Sequence, residues 1–411
     1  MSPTRWLPPL AVAACLAGPV EAGPLSYDQA LTRALTSAPG LEAANLQAQA
    51  ARAAAPAAGA LPDPKLNFAV EGFPVSGPNA GRPSRDDFSD LRLGVLQDVP
   101  NAGRRRAAVA GARAEISQAD AERAAEMRKV KVGAALAWID LAYAQRRLAA
   151  LDEVLKALTP LWEAQPSAVA AGRSRPGQAL SPVEMRASLE DRRSEIAAAV
   201  GRAGAELTRW TGEPAPAAVG APPHYPIDDA ALRAALEEHP TILASRSAVQ
   251  RAEAEVDAAR AARRPDWSWE LAYQRRDPMF GDMVMAGVTV SLPIFARTRQ
   301  EPLIAARRAE ASKAAAERED ARRALAAQFD GDLADHVMHH EQWTRTLNTV
   351  LPAAQQRADL ETQSYAAGRA NLADVLDAMT ALANAKLAAL EREGMVMRDG
   401  ARIVLTYGND Q

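Results

Sequence analysis

The sequence predicts a mixed α/β membrane protein in which four short β-strands are combined with very long α-helices. Three observations predict this fold class. The chain of 411 residues repeats its own landmarks, four segments of about ten residues alternate apolar with polar side chains, and two runs of more than 60 residues have helical composition.

Composition and charge exclude some classes of function. Hydrophobic residues make up 48% of the chain, but aromatic residues are only 5%, and much of the rest is alanine. Alanine favours closely packed helices over a thick globular core. The net charge of −3 gives no electrostatic basis for binding nucleic acid.

The first 22 residues resemble an export signal. Arg5 supplies the positive charge, residues 6–18 form a short apolar stretch, and Ala22 ends a small-residue cleavage site. The alternative is a lipobox in which Cys15 becomes the lipidated first residue. Both interpretations leave a mature chain without a disulfide or a cysteine-based metal site, and no later segment reaches the roughly 20 apolar residues of a membrane helix.

Two halves of the mature chain carry the same landmarks in the same order. Leu31 and Pro39 recur as Leu232 and Pro240, each at an offset of 201 (232 − 31 and 240 − 39). The expected organisation is a signal peptide (1–22), a first repeat (23–213) with a strand hairpin at 64–100, a Pro-rich linker (214–226), and a second repeat (227–411) with a strand hairpin at 266–293.

Each repeat is predicted to contain three helical stretches. These are an initial stretch (27–60 and 228–263), a long run (104–164 and 299–366) and a returning helix (183–210 and 372–405). As one helix, the second long run would extend on the order of 100 Å at about 1.5 Å per residue. Pro160 and Pro352 are expected to kink these runs or end a segment.

The strand segments decide the class of sheet. The predicted lipid-facing residues are Trp267, Trp269, Leu271, Tyr273, Val284, Val288 and Val290. The first half repeats the alternation at Leu66, Phe68, Val70, Leu91, Leu93 and Val95. About ten residues is the length of a tilted transmembrane strand. A soluble sheet packed on helices is the alternative, but aromatic residues on one face favour a membrane interface.

The number of strands then predicts an oligomer. Four strands cannot close a barrel, and open sheet edges are not tolerated in hydrocarbon. Copies of the same chain would have to satisfy those edges. Three subunits would supply twelve strands, enough to enclose an aqueous lumen.

At this point the sequence resembles a known family, the TolC-like outer membrane efflux proteins. The matching motifs are residues 97–105, which include Gln97, Pro100, Gly103 and two following arginines, residues 291–295, and residues 365–378. The resemblance implies a trimeric 12-stranded barrel in the outer membrane, continuous with a helical tunnel in the periplasm. It also implies an exit duct for substrates received from a periplasmic adaptor and an inner-membrane pump.

Within that family, the arginine-containing motif resembles the heavy-metal branch that exports cobalt, zinc, cadmium, copper or silver. A duct for drug efflux or type I secretion is the alternative. A coiled-coil structural protein without a pore is the alternative of another class, but it does not explain the strand pairs. The sequence contains no phosphate-binding loop or nucleophile motif, so no enzyme and no cofactor is predicted.

The resemblance also points to entrance residues at the periplasmic tip. They are Tyr365, Gly368, Arg369, Asp374 and Asp377, with Gly172 and Arg173 as first-half counterparts. It implies that the two aspartates ring a narrow, cation-favouring entrance. The alternative, compatible with the first, is that they complement the N-terminal dipole of a helix. Gln178 and Ser181 replace them in the first half, so one acidic ring per subunit is expected at most.

Three weaker signals remain. His336 and His340 have the i, i+4 spacing of metal ligands, although polar residues on a helix face are the favoured interpretation. Met279, Met283 and Met285 cluster near a hairpin and suit soft metal ions, although flexible apolar packing explains them as well. No metal site is therefore predicted. Arg104, Arg105 and Arg106 suit lipid phosphates or a solvated charge run equally well.

Overall fold

The computed structural model describes residues 23–86, 88–163 and 180–408. The signal peptide, Cys15, Gly172 and Arg173 lie outside the described residues. The chain divides into two compact units. The first unit draws its described residues from the ranges 1–38, 130–227 and 332–406, and the second from 39–129, 228–331 and 407–411.

The two halves of the chain contain their elements in nearly the same order. The first half contains β1 (Gly23–Leu25), α1 (Tyr27–Ser37), α2 (Pro39–Ala58), β2 (Lys65–Glu71), β3 (Asp90–Val99), α3 (Ala102–Glu163), α4 (Ser181–Thr211) and β4 (Pro216–Ala218). The second half contains α5 (Asp229–Ala235), α6 (Pro240–Ala261), β5 (Trp267–Arg275), β6 (Met283–Val290), α7 (Gln300–Arg345), α8 (Leu351–Ala366) and α9 (Leu372–Tyr407). Short 3-10 helices occupy Pro83–Arg85 and Leu236–Glu238, and a π-helical turn occupies Thr346–Val350.

Proline interrupts three of the predicted helical stretches. The helical stretch predicted at 27–60 is divided into α1 and α2, because Ala38 takes an extended conformation (ψ 114°) before Pro39. The stretch predicted at 228–263 is divided for the same reason, since His239 (ψ 137°) precedes Pro240. The residue before a proline is driven out of the helical region by a clash with the proline ring.

The second long run is also not one regular helix. The π-helical turn at Thr346–Val350 separates α7 from α8, and Pro352 follows as the second residue of α8. Proline has no backbone N–H and its ring crowds the preceding turn, so a local π-turn accommodates it at a helix junction. The first long run differs, because α3 continues through Pro160 to Glu163.

The core of the first unit forms around a small sheet that the sequence did not predict. Strand β1 pairs in parallel with β4, with Leu25 opposite Ala218. The fully buried Trp138 donates a hydrogen bond from Nε1 to the Leu25 carbonyl oxygen (2.8 Å). Tyr27 packs edge-on against the same indole, 5.4 Å between ring centroids. Strand β4 lies in the stretch predicted to be a Pro-rich linker. It begins with a proline and has only three residues, so no strand pattern was visible in the sequence.

Small residues bring the helices close together in both units. In the first unit, a Cβ atom on Gly133 would meet the Trp210 ring at 2.3 Å, so only glycine fits there. In the second unit, a Cβ on Gly103 would meet the Ala261 Cβ at 2.9 Å. This packing explains why an alanine-rich chain with few aromatic residues forms helical layers. Within the described residues, no helix is both long and apolar enough to span a membrane.

Candidate functional site

The four long strands form one antiparallel sheet in the second unit, in the order β2-β3-β5-β6. Across the sheet, Leu93 pairs with Phe68 on one side and with Tyr273 on the other, and Tyr273 pairs with Val284. This register places the apolar side of every strand on the same face, because side chains alternate with a period of two. We call this the apolar face. Its apolar residues include Leu66, Phe68, Val70, Leu91, Leu93, Val95, Trp267, Trp269, Leu271, Tyr273, Val284, Ala286, Val288 and Val290. The register also places Gln97 and Arg275 on this face, toward its two ends.

The apolar face is exposed in the single chain. Leu66 is 72% exposed, Phe68 64%, Val284 71% and Trp267 53%. A contiguous apolar surface of this kind is unfavourable in water and marks a surface that contacts lipid or another protein. The predicted lipid-facing residues therefore share one face, as the alternation indicated. Their contact with lipid stays a prediction.

Aromatic residues lie toward both ends of the apolar face. Trp267 and Trp269 begin β5 at the end nearest the helices, and Tyr273 lies close to the hairpin at the other end. The Tyr273 hydroxyl donates a hydrogen bond to Asp282 in that hairpin. Amphipathic aromatic rings prefer the level of the lipid headgroups, so this placement is typical of a membrane interface.

The opposite face of the sheet, which we call the polar face, carries an ion-pair network. Arg92 donates to Glu71 (2.8 Å) and, across to the second half of the chain, to Glu270 (2.7 Å). Lys65 contacts Asp98 at 2.8 Å. The Arg92 side chain is only 15% exposed, so both carboxylates offset the cost of burying its charge.

A glycine makes room for this network. A Cβ atom on Gly94 would lie 3.1 Å from the Ala272 Cβ and 3.2 Å from a Glu270 carboxylate oxygen. The absence of a side chain there lets β3 and β5 hold the Arg92 pairs at short distance. Strands β2 and β6 are the edges of the described sheet, each hydrogen-bonded to one neighbouring strand only.

Asp266 joins the base of the sheet to the first turn of α3. Its carboxylate accepts hydrogen bonds from the Asn101 backbone N–H (2.8 Å) and from Arg104 Nη1 (2.5 Å). Burial acts to raise the pKa of Asp266, but the hydrogen bonds from Asn101 and Arg104 outweigh it and lower the pKa below its usual value. Asn101 and Arg104 belong to the motif at residues 97–105. The structure thus gives part of that motif a structural role that the sequence did not predict.

The predicted entrance residues of the second half surround the turn between α8 and α9. Gly368 has a positive φ of 72°, and the Arg369 N–H donates to the Ser364 carbonyl at 2.8 Å. This is the usual way in which a helix ends on a left-handed glycine. Tyr365 packs against a buried cluster that includes Leu372 and Leu376 of α9. The tyrosine therefore anchors the turn to the helices below it.

The two aspartates lie one helical turn apart on the exposed side of α9. Asp374 exchanges hydrogen bonds with Asn371: the Asp374 N–H donates to the Asn371 side chain (2.9 Å), and the Asn371 N–H donates to the Asp374 carboxylate (3.2 Å). This reciprocal pair is a capping box. Asp377 is exposed and outside this pair, while Val375 and Leu376 between them are buried. Both aspartates are therefore placed to face solvent. Their role in a pore stays a prediction.

The histidines of α7 have a partner, Asp399, that their spacing in the sequence did not indicate. The His336 and His340 rings lie with their centroids 6.2 Å apart. His339, between them, contacts the buried Asp399 of α9 at 2.7 Å, and Asp399 also pairs with Arg402 at 3.3 Å. Burial lowers the pKa of His336, which favours its neutral form. The 60 residues that separate His339 from Asp399 explain why sequence spacing missed this pair.

The methionines lie at one end of the sheet. Met283 and Met285 share the polar face of β6, opposite Gln274 and Ala272 of β5, and Met279 lies exposed in the hairpin. The Met283 sulfur is 3.3 Å from the Arg276 guanidinium. Within the part of the chain that the structure describes, no three His, Cys, Asp or Glu side chains are grouped as metal ligands.

Comparison with known proteins places this geometry in a family. Residues 231–409 match the family described as outer membrane efflux protein. These residues form an outer membrane efflux protein domain. The efflux protein is 25% identical over 381 residues to the cobalt-zinc-cadmium resistance protein CzcC of Cupriavidus metallidurans, covering 89% of this chain and 86% of the relative.

Solved structures share the fold of the efflux protein at low sequence identity. CusC, crystallised to study folding and transmembrane channel formation, has 16% identity and a TM-score of 0.77, with coverage of 93% and 92% of the two chains. The outer membrane protein VceC of Vibrio cholerae has 21% identity and a TM-score of 0.75, with coverage of 93% and 96%.

These similarities confirm several predictions. The fold class, a barrel-forming sheet continuous with long helices, is confirmed. The efflux protein is an outer membrane channel that extends into the periplasm, as the sequence predicted. The family consists of channels rather than enzymes.

Proposed function

We propose that three copies of the efflux protein form the exit duct of a tripartite efflux system, and that its cargo is a heavy-metal cation. The observation that carries the trimer is the sheet itself. Four strands with a largely apolar face end in two edges, at β2 and β6, that have no partner within the described chain. Hydrocarbon cannot satisfy backbone groups, so neighbouring copies must supply the missing hydrogen bonds.

Three copies suit the chemistry of both faces. Twelve strands enclose a lumen wide enough for water, with the polar face inside and the apolar face toward lipid. The Arg92 network would then line the lumen, where charges remain hydrated. Extraction of the protein from outer membranes in mild detergent, followed by mass measurement, tests this assembly: a trimer is expected, and a stable monomer in the membrane contradicts it.

The aspartates at the α8–α9 turn are proposed to line the entrance. In a trimer, Asp374 and Asp377 would place six carboxylates within about one helical turn of each other and favour cations. Asp377 is the cleaner test, because Asp374 also caps α9. In planar bilayers with a salt gradient, Asp377→Asn is expected to shift the reversal potential toward lower cation preference. Asp359→Asn, which removes another exposed carboxylate from α8, is the matched control. Equal shifts in both variants would contradict the entrance role.

The proposed cargo rests on the relative whose name specifies cobalt, zinc and cadmium resistance, and on the motif at residues 97–105. A deletion strain, complemented with the wild-type protein, would be grown against these metals, copper, silver, and a panel of dyes and drugs. Sensitivity to metals alone is expected. Sensitivity to drugs alone would favour the drug-efflux alternative and refute the metal cargo.

The proposed partners are a periplasmic adaptor and an inner-membrane pump, as in the family. Photo-crosslinking from residue 369, next to Gly368 at the turn, is expected to capture the adaptor. Crosslinking from residue 123 on α3 serves as the comparison. An adaptor captured equally from both positions, or from neither, would contradict docking at the turn.

A further inference from the structure

A groove with three arginines lies between the end of α2 and the start of α3 in the second unit. Its volume is about 550 Å³, and its lining contains Arg105, Arg106 and Arg113 together with Gly59, Val109 and two alanines. The lining contains no carboxylate. The groove is therefore cationic, with a small apolar floor.

These arginines differ from their neighbour Arg104 in their partners. Arg104 is paired with Asp266, and Arg105 donates from Nε to the Gly59 carbonyl oxygen (3.2 Å), which holds it against α2. Among the described residues, no carboxylate forms an ion pair with Arg105, Arg106 or Arg113. Arg106 and Arg113 are exposed, so their guanidinium groups are available to an anion.

Helix periodicity shows on which side of α3 the groove opens. Asp266 continues the antiparallel ladder opposite Ser291, so it belongs to the polar face, and Arg104 binds it from that side. At about 100° per residue, Arg106 lies about 200° and Arg113 about 180° around α3 from Arg104. Both therefore lie on the side of the apolar face.

The groove also lies at the level of a lipid headgroup. Helix α3 begins shortly after β3 ends at Val99, at the end of the sheet marked by Trp267. Arg106 follows Ala102 by about 6 Å at about 1.5 Å per residue. The headgroup layer is roughly 5–8 Å thick on each side of the hydrocarbon. The guanidinium of Arg106 thus reaches the phosphates when the apolar face lies in hydrocarbon.

We propose that this groove binds the phosphate of an anionic phospholipid in the periplasmic leaflet of the outer membrane. The proposal rests on the proposed function, because it requires the apolar face to contact lipid. A phosphodiester offers only acceptor oxygens, which match the paired N–H groups of a guanidinium. Val109 and the alanines contact the glycerol region of the same lipid.

The test uses the full chain reconstituted in vesicles of phosphatidylcholine with or without phosphatidylglycerol. Native mass spectrometry counts the phosphatidylglycerol molecules that remain bound after extraction. The double variant Arg106→Gln/Arg113→Gln is expected to lose phosphatidylglycerol retention on the order of tenfold or more, since each cationic side chain near an anionic surface contributes to attraction. The variant Arg106→Lys/Arg113→Lys is expected to retain more phosphatidylglycerol than the double glutamine variant, because it keeps the charge, and less than the wild type, because it loses the paired N–H groups. Arg123→Gln, an exposed arginine of the same helix further from the sheet, is the matched control.

The outcomes separate this proposal from the proposed function. Insertion of the wild-type chain into pure phosphatidylcholine vesicles, as a heat-modifiable oligomer, tests the membrane role by itself, and failure there would overturn both. Normal insertion with equal phosphatidylglycerol retention in the wild type and the double glutamine variant would overturn the groove alone. Displacement of the lipid by inorganic phosphate at equal concentration would also overturn it, because it would show a simple ion site.

Discussion

An arginine substituted in the centre of the apolar face should lower the free energy of unfolding far more than an arginine substituted one residue further along the strand. Strand β3 has ten residues, which at about 3.3 Å per residue and a tilt of about 45° span roughly 23 Å of membrane. Val95 lies near the middle of that span, on the apolar face between Leu66 and Leu271. Leu96, at the same height, lies on the polar face between Lys65 and Glu270.

The magnitude follows from this position. An arginine facing lipid at the membrane midplane costs about 2–4 kcal/mol in barrel proteins. The substitution Val95→Arg would therefore destabilise the proposed trimer by roughly 6–12 kcal/mol over three copies. Leu96→Arg introduces the same side chain toward a hydrated lumen and next to a glutamate, so its cost should be much smaller.

The assay is chemical unfolding of the reconstituted protein in vesicles, followed by tryptophan fluorescence and by the loss of heat-modifiable oligomers on gels. Val95→Arg is expected to lower the free energy of unfolding strongly or to prevent assembly, whereas Leu96→Arg should assemble. Equal free energies of unfolding for Val95→Arg and the wild type would refute the lipid-facing assignment. A greater loss for Leu96→Arg than for Val95→Arg would show that the two faces are reversed.

Three further predictions concern packing, protonation and the turn. In thermal unfolding, Gly133→Ala should lower the free energy of unfolding by about 1–3 kcal/mol, because the new methyl group overlaps the Trp210 ring. The control Gly201→Ala should be neutral or slightly stabilising, because no atom lies within 4 Å of the new methyl group. Because the pKa of Asp266 is lower in the folded protein than its ordinary value of 3.8, the ionised carboxylate stabilises the fold at pH values above about 4. This contribution should decline as the pH falls below about 4. In unfolding titrations, Asp266→Asn should remove that part of the pH dependence. Gly368→Ala should cost about 1 kcal/mol in the same unfolding assay, because φ is +72° there, and an unchanged stability would contradict the strain argument.

The strand boundaries and the faces of the strands could be predicted from the sequence alone. A two-residue alternation assigned Trp267, Leu271 and Tyr273 to one face, and the observed register agrees. Strand β5 begins within one residue of the predicted hairpin boundary at 266. These features depend on side chains a few residues apart, so local pattern is enough to define them.

Features that depend on distant residues could not be predicted in this way. The Arg92–Glu270 pair joins residues 178 positions apart, and nothing in either segment indicates the other. Spacing selected His336 and His340 as a pair, but the buried Asp399 contacts His339 instead. Spacing within one segment indicates which residues share a helix face, but Asp399, the partner of His339, lies on another helix.

The parallel pairing of β1 with β4 has a consequence for the order in which the chain folds. Gly23 is aligned with Pro216, which lies 193 residues later (216 − 23). Closing a chain segment of that length costs about 5 kcal/mol in conformational entropy before any contact forms. Three residues of ladder cannot repay this by themselves, so the strand should dock late, after α3 and α4 have already assembled. Until then the Trp138 indole lacks its acceptor on Leu25, so the docking of residues 23–25 should be a late step in the folding of the first unit.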